Sequence, residues 1–572
     1  MLASVLWVTL SISPSFSSDL EERNAMKERL ILPGSEDTIE QRESVKNMLE
    51  SLVIRNLPYQ RGGARRKAIH IDPIYRAPKS NDTKPDIPEL NQEVKKWLYE
   101  ADMVLTEAQA RALFTGLQPN RKRKRSLQTD PRAYWTPSIP INYTFDTSLS
   151  DGAVSTIRNA IKFWQDNTCL SFKENPVGDY RLRFVKGSGC WSYVGKQASW
   201  KSQDVSIGEG CNVFGIVTHE IGHALGFYHT QSRYDRDDAV EIDFSNIAPD
   251  LQYNFAKRTR ITENHFGQKY DYGSVMQYNA YAFAMDPERY TIVAKEVLFM
   301  NSMGQRDAPA FSDVRMINWL YNCSNSCAGR PPDCLPPGYP DPRDCTRCKC
   351  PRVLGGPLCN QLPRGNAIGC NGVVEQAQDG WKTLQGIAGD PNDWSAKSVA
   401  SDCYWHIVAP PDRQVEFYLT STPRVCMESC PWQSLEINLG DFDLFGMIIC
   451  CPSVIGVLMT SQKNLLTIRG ATKYNQLAFG IMYRLLPKTT NGTSSPLEST
   501  TPSELETIPS PSPVRTTLTT TLATTTTTTP AKTTTTTTSQ PTTTTRMTPQ
   551  STTTTTTTAQ PTTTTATTTT PS

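Results

Sequence analysis

His219-Glu220-Ile221-Gly222-His223-Ala224-Leu225-Gly226-Phe227-Tyr228-His229 carries three of the chain's 6 histidines. His219 and His223 stand at i and i+4, so on a helix both imidazoles lie on one face, one turn apart. The apolar approach Val213-Phe214-Gly215-Ile216-Val217 predicts that this helix is buried. Gly226 allows the left-handed conformation that ends it and turns the chain back, bringing His229 to the other two. Three protein nitrogens with an open fourth position form the arrangement of a catalytic zinc. Glu220 follows the first ligand and is placed to act as a base without being a ligand. Zinc lowers the pKa of its bound water to about 7, and a neighbouring carboxylate can take the proton and later pass it to a leaving amine. The bare H-E-x-x-H pattern recurs by accident as a helix with core histidines; the extended form with Gly226 and His229 argues for a zinc peptidase.

Working outward, 572 residues exceed one domain and suggest three or four. A formal charge of +2 gives no overall pull toward nucleic acid or anionic membrane. The 16 cysteines fall between Cys169 and Cys451, an even number in clusters, which reads as disulfides and an oxidising compartment. Met1–Leu10 is apolar but too short to span a bilayer, and small residues follow at Ser15-Phe16-Ser17. This predicts a signal peptide over 1–17, cleaved after Ser17 or Ser18, although no Lys or Arg precedes the apolar run. No later stretch is long and apolar enough for a membrane span, so a secreted, extracellular product is expected.

Residues 18–125 are charged and free of cysteine, with Val45, Met48, Leu49 and Leu52 at helical spacing. They end in Arg121-Lys122-Arg123-Lys124-Arg125. In a secreted chain that run reads as a site for a furin-type processing protease, cut between Arg125 and Ser126, and the segment as a propeptide. Residues 126–323 form the expected catalytic domain. Strands are predicted at Ile141–Phe145, Tyr180–Val185 and Asp204–Ile207, and a capped helix over Asp151–Asp166 with Val154, Ile157, Ile161 and Trp164 on its apolar face. Beyond the histidines the pattern weakens into loops. The fold class is α+β, two-lobed, with the histidine helix at the floor of a cleft.

The stretch from His219 to Asp237, including Arg233-Tyr234-Asp235-Arg236-Asp237, closely resembles the astacin family of metzincin metallopeptidases. Ser274-Val275-Met276-Gln277-Tyr278 is similar to that family's methionine turn, and Gly189-Cys190-Trp191-Ser192-Tyr193-Val194-Gly195 to another of its signatures. The resemblance implies one Zn2+ per catalytic domain and Met276 beneath it as a hydrophobic base. Tyr278 would then be a displaceable fifth ligand that stabilises the oxyanion. It also implies the bridges Cys169–Cys323 and Cys190–Cys211, the first closing most of the domain for roughly several kcal/mol in the chain-entropy model. Leu98-Tyr99-Glu100-Ala101-Asp102 resembles the short propeptide motif whose aspartate occupies the zinc position, with Tyr99 for the usual Phe and Ala101 for the usual Gly. Asp102 is therefore expected on the zinc before processing. Thr230 departs from the family's usual Glu after the third histidine, which anchors the mature N-terminus.

Cys327, Cys334, Cys345, Cys348, Cys350 and Cys359 crowd residues 324–361, too short a span to build a core without staples. Six cysteines allow 15 pairings. Resemblance to an EGF-like module implies Cys327–Cys345, Cys334–Cys348 and Cys350–Cys359. Over 370–486, period-two alternation (Val415/Phe417/Leu419, Leu435/Ile437/Leu439, Leu477/Phe479/Ile481/Tyr483) predicts an antiparallel β-sandwich. With Cys370 and Cys403 it resembles a CUB domain, with Cys370–Cys403 paired. The pairing of Cys426, Cys430, Cys450 and Cys451 stays open. Residues 487–572 are Thr and Pro with almost nothing apolar, expected to be a disordered, O-glycosylated, mucin-like tail. Asn81, Asn142, Asn322 and Asn491 begin N-glycosylation sequons.

The function expected from these features is that of a secreted zinc endopeptidase made as a zymogen. Module order and the doubled cysteines look most like nematode astacins, so extracellular matrix or cuticle proteins such as collagens become candidate substrates. Two rivals stand: a non-catalytic matrix adaptor with a protease-like fold, against which the intact histidine–glutamate set speaks, and another metzincin branch. Met276-Gln277-Tyr278 and the lack of a propeptide cysteine argue against the second.

Overall fold

A computed structural model describes residues 14–56, 85–116, 131–260, 263–329 and 332–486. The expected signal-peptide core, the cut between Arg125 and Ser126, the sequons at Asn81 and Asn491, and the Thr-rich tail lie outside the described residues. A helix, Pro14–Leu30, runs across the expected signal-cleavage point.

The catalytic half is built on a six-stranded sheet. Its order is Met103–Val104, Cys190–Tyr193, Ser202–Ile207, Arg181–Val185, Ile141–Phe145, Phe172–Glu174. Cys190–Tyr193 runs antiparallel to Ser202–Ile207; the other pairs are parallel. The first strand belongs to the N-terminal segment, which therefore completes the sheet edge of the catalytic half. The helix Asp151–Asn167 starts where Ser150 accepts the Ala153 N–H, and it buries Ile157, Ile161 and Trp164 against the sheet. Tyr180, expected in the next strand, has φ +54° and instead turns the chain into Arg181–Val185.

Trp164 ties this layer to the histidine helix. It is fully buried, and its indole N–H donates to the Thr218 carbonyl at 3.1 Å. Trp164→Ala should remove about 3–5 kcal/mol of stability through the cavity and the lost bond. Urea unfolding followed by intrinsic fluorescence measures this, and a loss under about 1 kcal/mol would contradict it.

The lower half has little regular structure. Phe255, Tyr278, Phe283, Ile292 and Met303 pack its own small core. Its helix Phe311–Leu320, unforeseen in the sequence, carries Asp313 to the loop that follows Gly273.

Cys327–Cys345, Cys334–Cys348 and Cys350–Cys359 staple a small module with one hairpin, Tyr339–Asp341 against Asp344–Lys349. Residues 374–485 form a sandwich of a five-stranded and a four-stranded sheet. Val415, Phe417, Leu419, Leu435, Ile437, Leu477, Phe479, Ile481 and Tyr483 fill its core, while Leu439 is only partly buried. Cys370 bonds Cys403, and the four cysteines left open in the sequence pair as Cys426–Cys451 and Cys430–Cys450.

The sandwich sits directly on the catalytic half. Phe445 lies over Gly273, where an added Cβ would come 2.3 Å from the ring, and its N–H reaches the Asp271 carboxylate at 3.2 Å. Arg315 pairs with Asp443 at 2.5 Å, and Asp307 holds Arg469 at 2.6 Å and Arg352 at 2.7 Å.

Candidate active site

Every residue of the helix Phe214–Ala224 is buried. Gly226, at φ +109°, donates its N–H to the His223 carbonyl at 2.8 Å and turns the chain so that His229 faces His219 and His223. The three rings lie 4.6–5.2 Å apart between centroids.

Each ring is aimed by a partner on its Nδ1: the Val275 carbonyl for His219 at 2.8 Å, the Phe227 carbonyl for His223 at 2.9 Å, and the Glu100 carboxylate for His229 at 2.8 Å. A hydrogen bond on Nδ1 leaves the Nε2 lone pair for a metal. The Nε2 atoms converge on one carboxylate. Asp102 Oδ2 is 3.2 Å from His219 and 3.1 Å from His229, and Oδ1 is 3.6 Å from His223. One ligand atom from each of these four residues falls within 4.8 Å of the others. The His223 Nε2 and Asp102 Oδ1 atoms are buried without hydrogen-bond partners. Convergent, unsatisfied nitrogen and oxygen donors of this kind fit zinc.

Around them the electrostatics are sharply divided. Burial pushes His219 down to about 3. It would lower His229 too, but the Asp102 and Glu100 carboxylates outweigh it and hold that ring at about 9. Burial would raise Asp102, yet the attraction and hydrogen bonds of the histidines keep its carboxyl well below the usual range. Glu220 moves the other way: burial, reinforced by the Asp102 charge, raises it well above an ordinary glutamate. Both Glu220 carboxylate oxygens and the Tyr278 hydroxyl are buried without partners. The Tyr278 ring lies 4.4 Å from that of His229.

The Met276 thioether underlies the helix: a Cβ added at Gly222 would sit 3.1 Å from its sulfur. Asp313 fixes this turn by accepting the Ser274 hydroxyl at 2.6 Å and the Val275 N–H at 2.9 Å. Thr230 joins the same chain, its hydroxyl on Ser274 at 3.0 Å and its N–H on the Met276 carbonyl at 3.0 Å. Cys169–Cys323 and Cys190–Cys211 close the surrounding loops. Asn142 lies on a sheet strand with its side-chain amide on the Asp179 carbonyl at 3.1 Å, and Asn322 is exposed with φ +52°.

Four functional residues escaped the sequence reading. Glu100 and Ala101 both adopt left-handed backbone, φ +48° and +69°, to turn Asp102 inward, and Asn254 accepts the Glu100 N–H at 2.8 Å. Arg306 grips Asp86 through two parallel bonds of 2.8 and 3.0 Å and also donates to the Val275 carbonyl at 2.9 Å. A carboxylate two residues from Asp102 signals Glu100 weakly; Asn254, Asp86 and Arg306 carry no local signal.

The chain is similar in sequence to known zinc proteases. The family model for the astacin peptidases matches residues 127–322. Zinc metalloproteinase nas-28 of Caenorhabditis elegans is 45% identical over 468 residues, 80% of this chain and 93% of that one. Zinc metalloproteinase nas-27 of the same organism is 31% identical over 431 residues, 73% and 96% of the two chains. Among solved structures, high choriolytic enzyme 1, a hatching enzyme zinc-protease from the medaka Oryzias latipes, is 33% identical. It covers 35% of this chain and 99% of its own, with a TM-score of 0.32. The cofactor is zinc and the activity is proteolysis. With a relative this similar along most of both sequences, the chain belongs to the astacin family of zinc metalloendopeptidases.

Proposed function

We propose that the chain is secreted as a latent precursor, with residues 18–125 as propeptide, and that it becomes an endopeptidase of extracellular proteins when cut between Arg125 and Ser126. The observation that carries this is the Asp102 carboxylate lying on all three histidine Nε2 atoms, where a substrate carbonyl and its attacking water would have to be. In this reading His219, His223 and His229 hold the zinc. When bound, the metal supplies Lewis acidity and makes water nucleophilic near neutral pH.

Glu220 takes the proton from the attacking water and returns it to the leaving amine. Departure of the propeptide takes the Asp102 carboxylate away from the three histidines as the cleft opens. Tyr278 donates its hydroxyl to the carbonyl oxygen as negative charge develops. Met276, held by the Ser274–Asp313 chain, supports the histidine helix from below. The modules at 324–361 and 370–486 read as EGF-like and CUB-like, and matrix or cuticle proteins, collagens among them, fit as substrates. A protease-like but inactive adaptor is excluded if the processed protein cleaves a peptide library and a chelator stops it; no cleavage at any zinc concentration would favour the adaptor.

Arg306 bears on specificity. It lies in the cleft, only slightly exposed, and the Asp86 it holds leaves with the propeptide. We infer that an acidic substrate side chain takes the same fork, since planar guanidinium–carboxylate pairs are both strong and selective. Arg306→Leu should cut the preference for aspartate over leucine at that substrate position by at least about 30-fold, with Arg306→Lys in between. Competition between two peptides differing at one residue measures the ratio, and an unchanged ratio would rule the assignment out.

A further inference from the structure

Arg258 carries a buried guanidinium that bonds nothing. The residue is 4% exposed, and its Nε, Nη1 and Nη2 atoms are buried without hydrogen-bond partners. Its backbone N–H donates to the Ser232 carbonyl at 2.7 Å, and its Cζ lies 3.1 Å from the centre of the Tyr228 ring. An aromatic face attracts the cation but satisfies none of its five N–H donors. Keeping such a group out of water and unbonded is costly, which points to a partner that the precursor does not supply.

The N-terminal segment covers this place. Tyr99, Val45 and Leu49 pack with Tyr228 in one apolar cluster, and the Glu100 N–H donates to Asn254 at 2.8 Å, on the same stretch as Arg258. The Glu100 and Glu263 carboxylates act on the guanidinium electrostatically without bonding it. Glu100 is committed to His229 Nδ1 and leaves with the segment. Glu263 stays, but it accepts the Tyr234 N–H at 3.2 Å and is drawn on by Arg233 as well, and burial holds its carboxyl above the ordinary range. The opened cleft therefore keeps a stacked guanidinium with its donors unspent. It is not on the side of Arg306. Arg306 shares the Val275 carbonyl with His219 Nδ1, whereas Arg258 faces the Glu100 carboxylate that holds His229 Nδ1.

We propose that, after propeptide release, Arg258 is a second specificity-determining residue: stacked on Tyr228 beside His229, it takes the carboxylate of a substrate aspartate or glutamate at a position other than the one read by Arg306. The proposal rests on the peptidase reading above and adds a residue to its substrate site. A substrate lying across the histidines then meets one guanidinium on the His219 side and another on the His229 side. The gain lies in KM, because the pair forms on binding and does not change as the bond breaks.

The test uses the secreted full chain after propeptide removal. Quenched hexapeptides keep aspartate at the position read by Arg306 and carry glutamate, or its neutral isostere glutamine, at each other position in turn. At one position glutamate should be preferred over glutamine by about tenfold in kcat/KM, the gain lying in KM. Arg258→Met, of similar volume and no charge, should abolish that ratio. Arg258→Lys, which keeps the charge but not the planar fork, should leave about threefold. Each ratio is taken within one preparation, so partial unfolding does not alter it. In both variants the preference for aspartate over leucine at the Arg306 position should stay at the wild-type value. If Arg258→Met is not secreted, Arg258→Lys carries the test, and an undiminished glutamate gain there overturns the proposal. So does a gain that survives Arg258→Met, equal rates for glutamate and glutamine at every position in the wild-type enzyme, or loss of both preferences together, which would make Arg258 merely structural. Failure to cut any peptide overturns instead the peptidase reading beneath it.

Discussion

Glu220→Gln should leave one zinc per chain in the processed protein and lower kcat/KM by about 100- to 10,000-fold, the range associated with removing a general base. The two halves of that result come from different atoms. Zinc retention follows because Glu220 is not among the four residues whose donors converge, so the amide removes no ligand. Loss of rate follows because glutamine cannot accept a proton from water at the position where Glu220 lies buried and otherwise unpartnered. The isosteric change keeps the packing of a residue with no solvent exposure. His223→Ala should do the opposite, losing the metal through one ligand while leaving the carboxylate in place. Metal analysis of the purified variants, alongside hydrolysis of a quenched peptide, separates the two. A Glu220→Gln protein cutting at near wild-type rate would end the assignment of Glu220 as base.

What the sequence disclosed depended on how local the physics was. The histidine helix could be read because its apolar approach, its i, i+4 ligands and Gly226 lie within one short stretch. The sandwich strands could be read because their buried residues alternate with period two. Cys190–Tyr193 was not legible as a strand: all four residues are buried, so no alternation marks it, and its outer edge is covered by Met103–Val104. From the residues alone the site was legible only where one element supplies it; Met276, Tyr278 and Asp102 came through the family resemblance. Arg306 and Asp86 are 220 residues apart, and Glu100 and His229 are 129 apart. Such pairs exist only after the N-terminal segment folds across the cleft. The packing of Phe445 on Gly273 was equally hidden, because an aromatic in a sandwich loop gives no sign of its partner.

Asp102→Ala should yield an unprocessed protein with measurable peptidase activity, and this is the second large effect. Several contacts hold the N-terminal segment across the site, and they are unequal. Asp102 stands on all three histidines, and in the proposed zymogen it would block the place of reaction. A carboxylate that bonds zinc at about 2.0–2.2 Å excludes both water and substrate carbonyl, so its loss opens the site even with the rest of the segment in place. Glu100 holds only His229, through Nδ1, and Asn254, through its backbone N–H. Glu100→Ala should therefore weaken latency without abolishing it, since the blocking carboxylate remains. Ala101 offers a change in the other direction. Its φ of +69° is the left-handed conformation that an L side chain resists by roughly 1–2 kcal/mol, and glycine adopts it freely. Ala101→Gly should seat Asp102 more firmly and reduce residual activity of the precursor below that of the wild type. All four precursors, the otherwise wild-type one included, carry a neutralised basic run at Arg121–Arg125 so that no processing intervenes. Peptide hydrolysis by the intact proteins should then rank Asp102→Ala well above Glu100→Ala, with wild type next and Ala101→Gly last. Full latency in Asp102→Ala would show that the segment silences the enzyme by covering the cleft, through Arg306–Asp86 and the added sheet strand, and not by occupying the metal position.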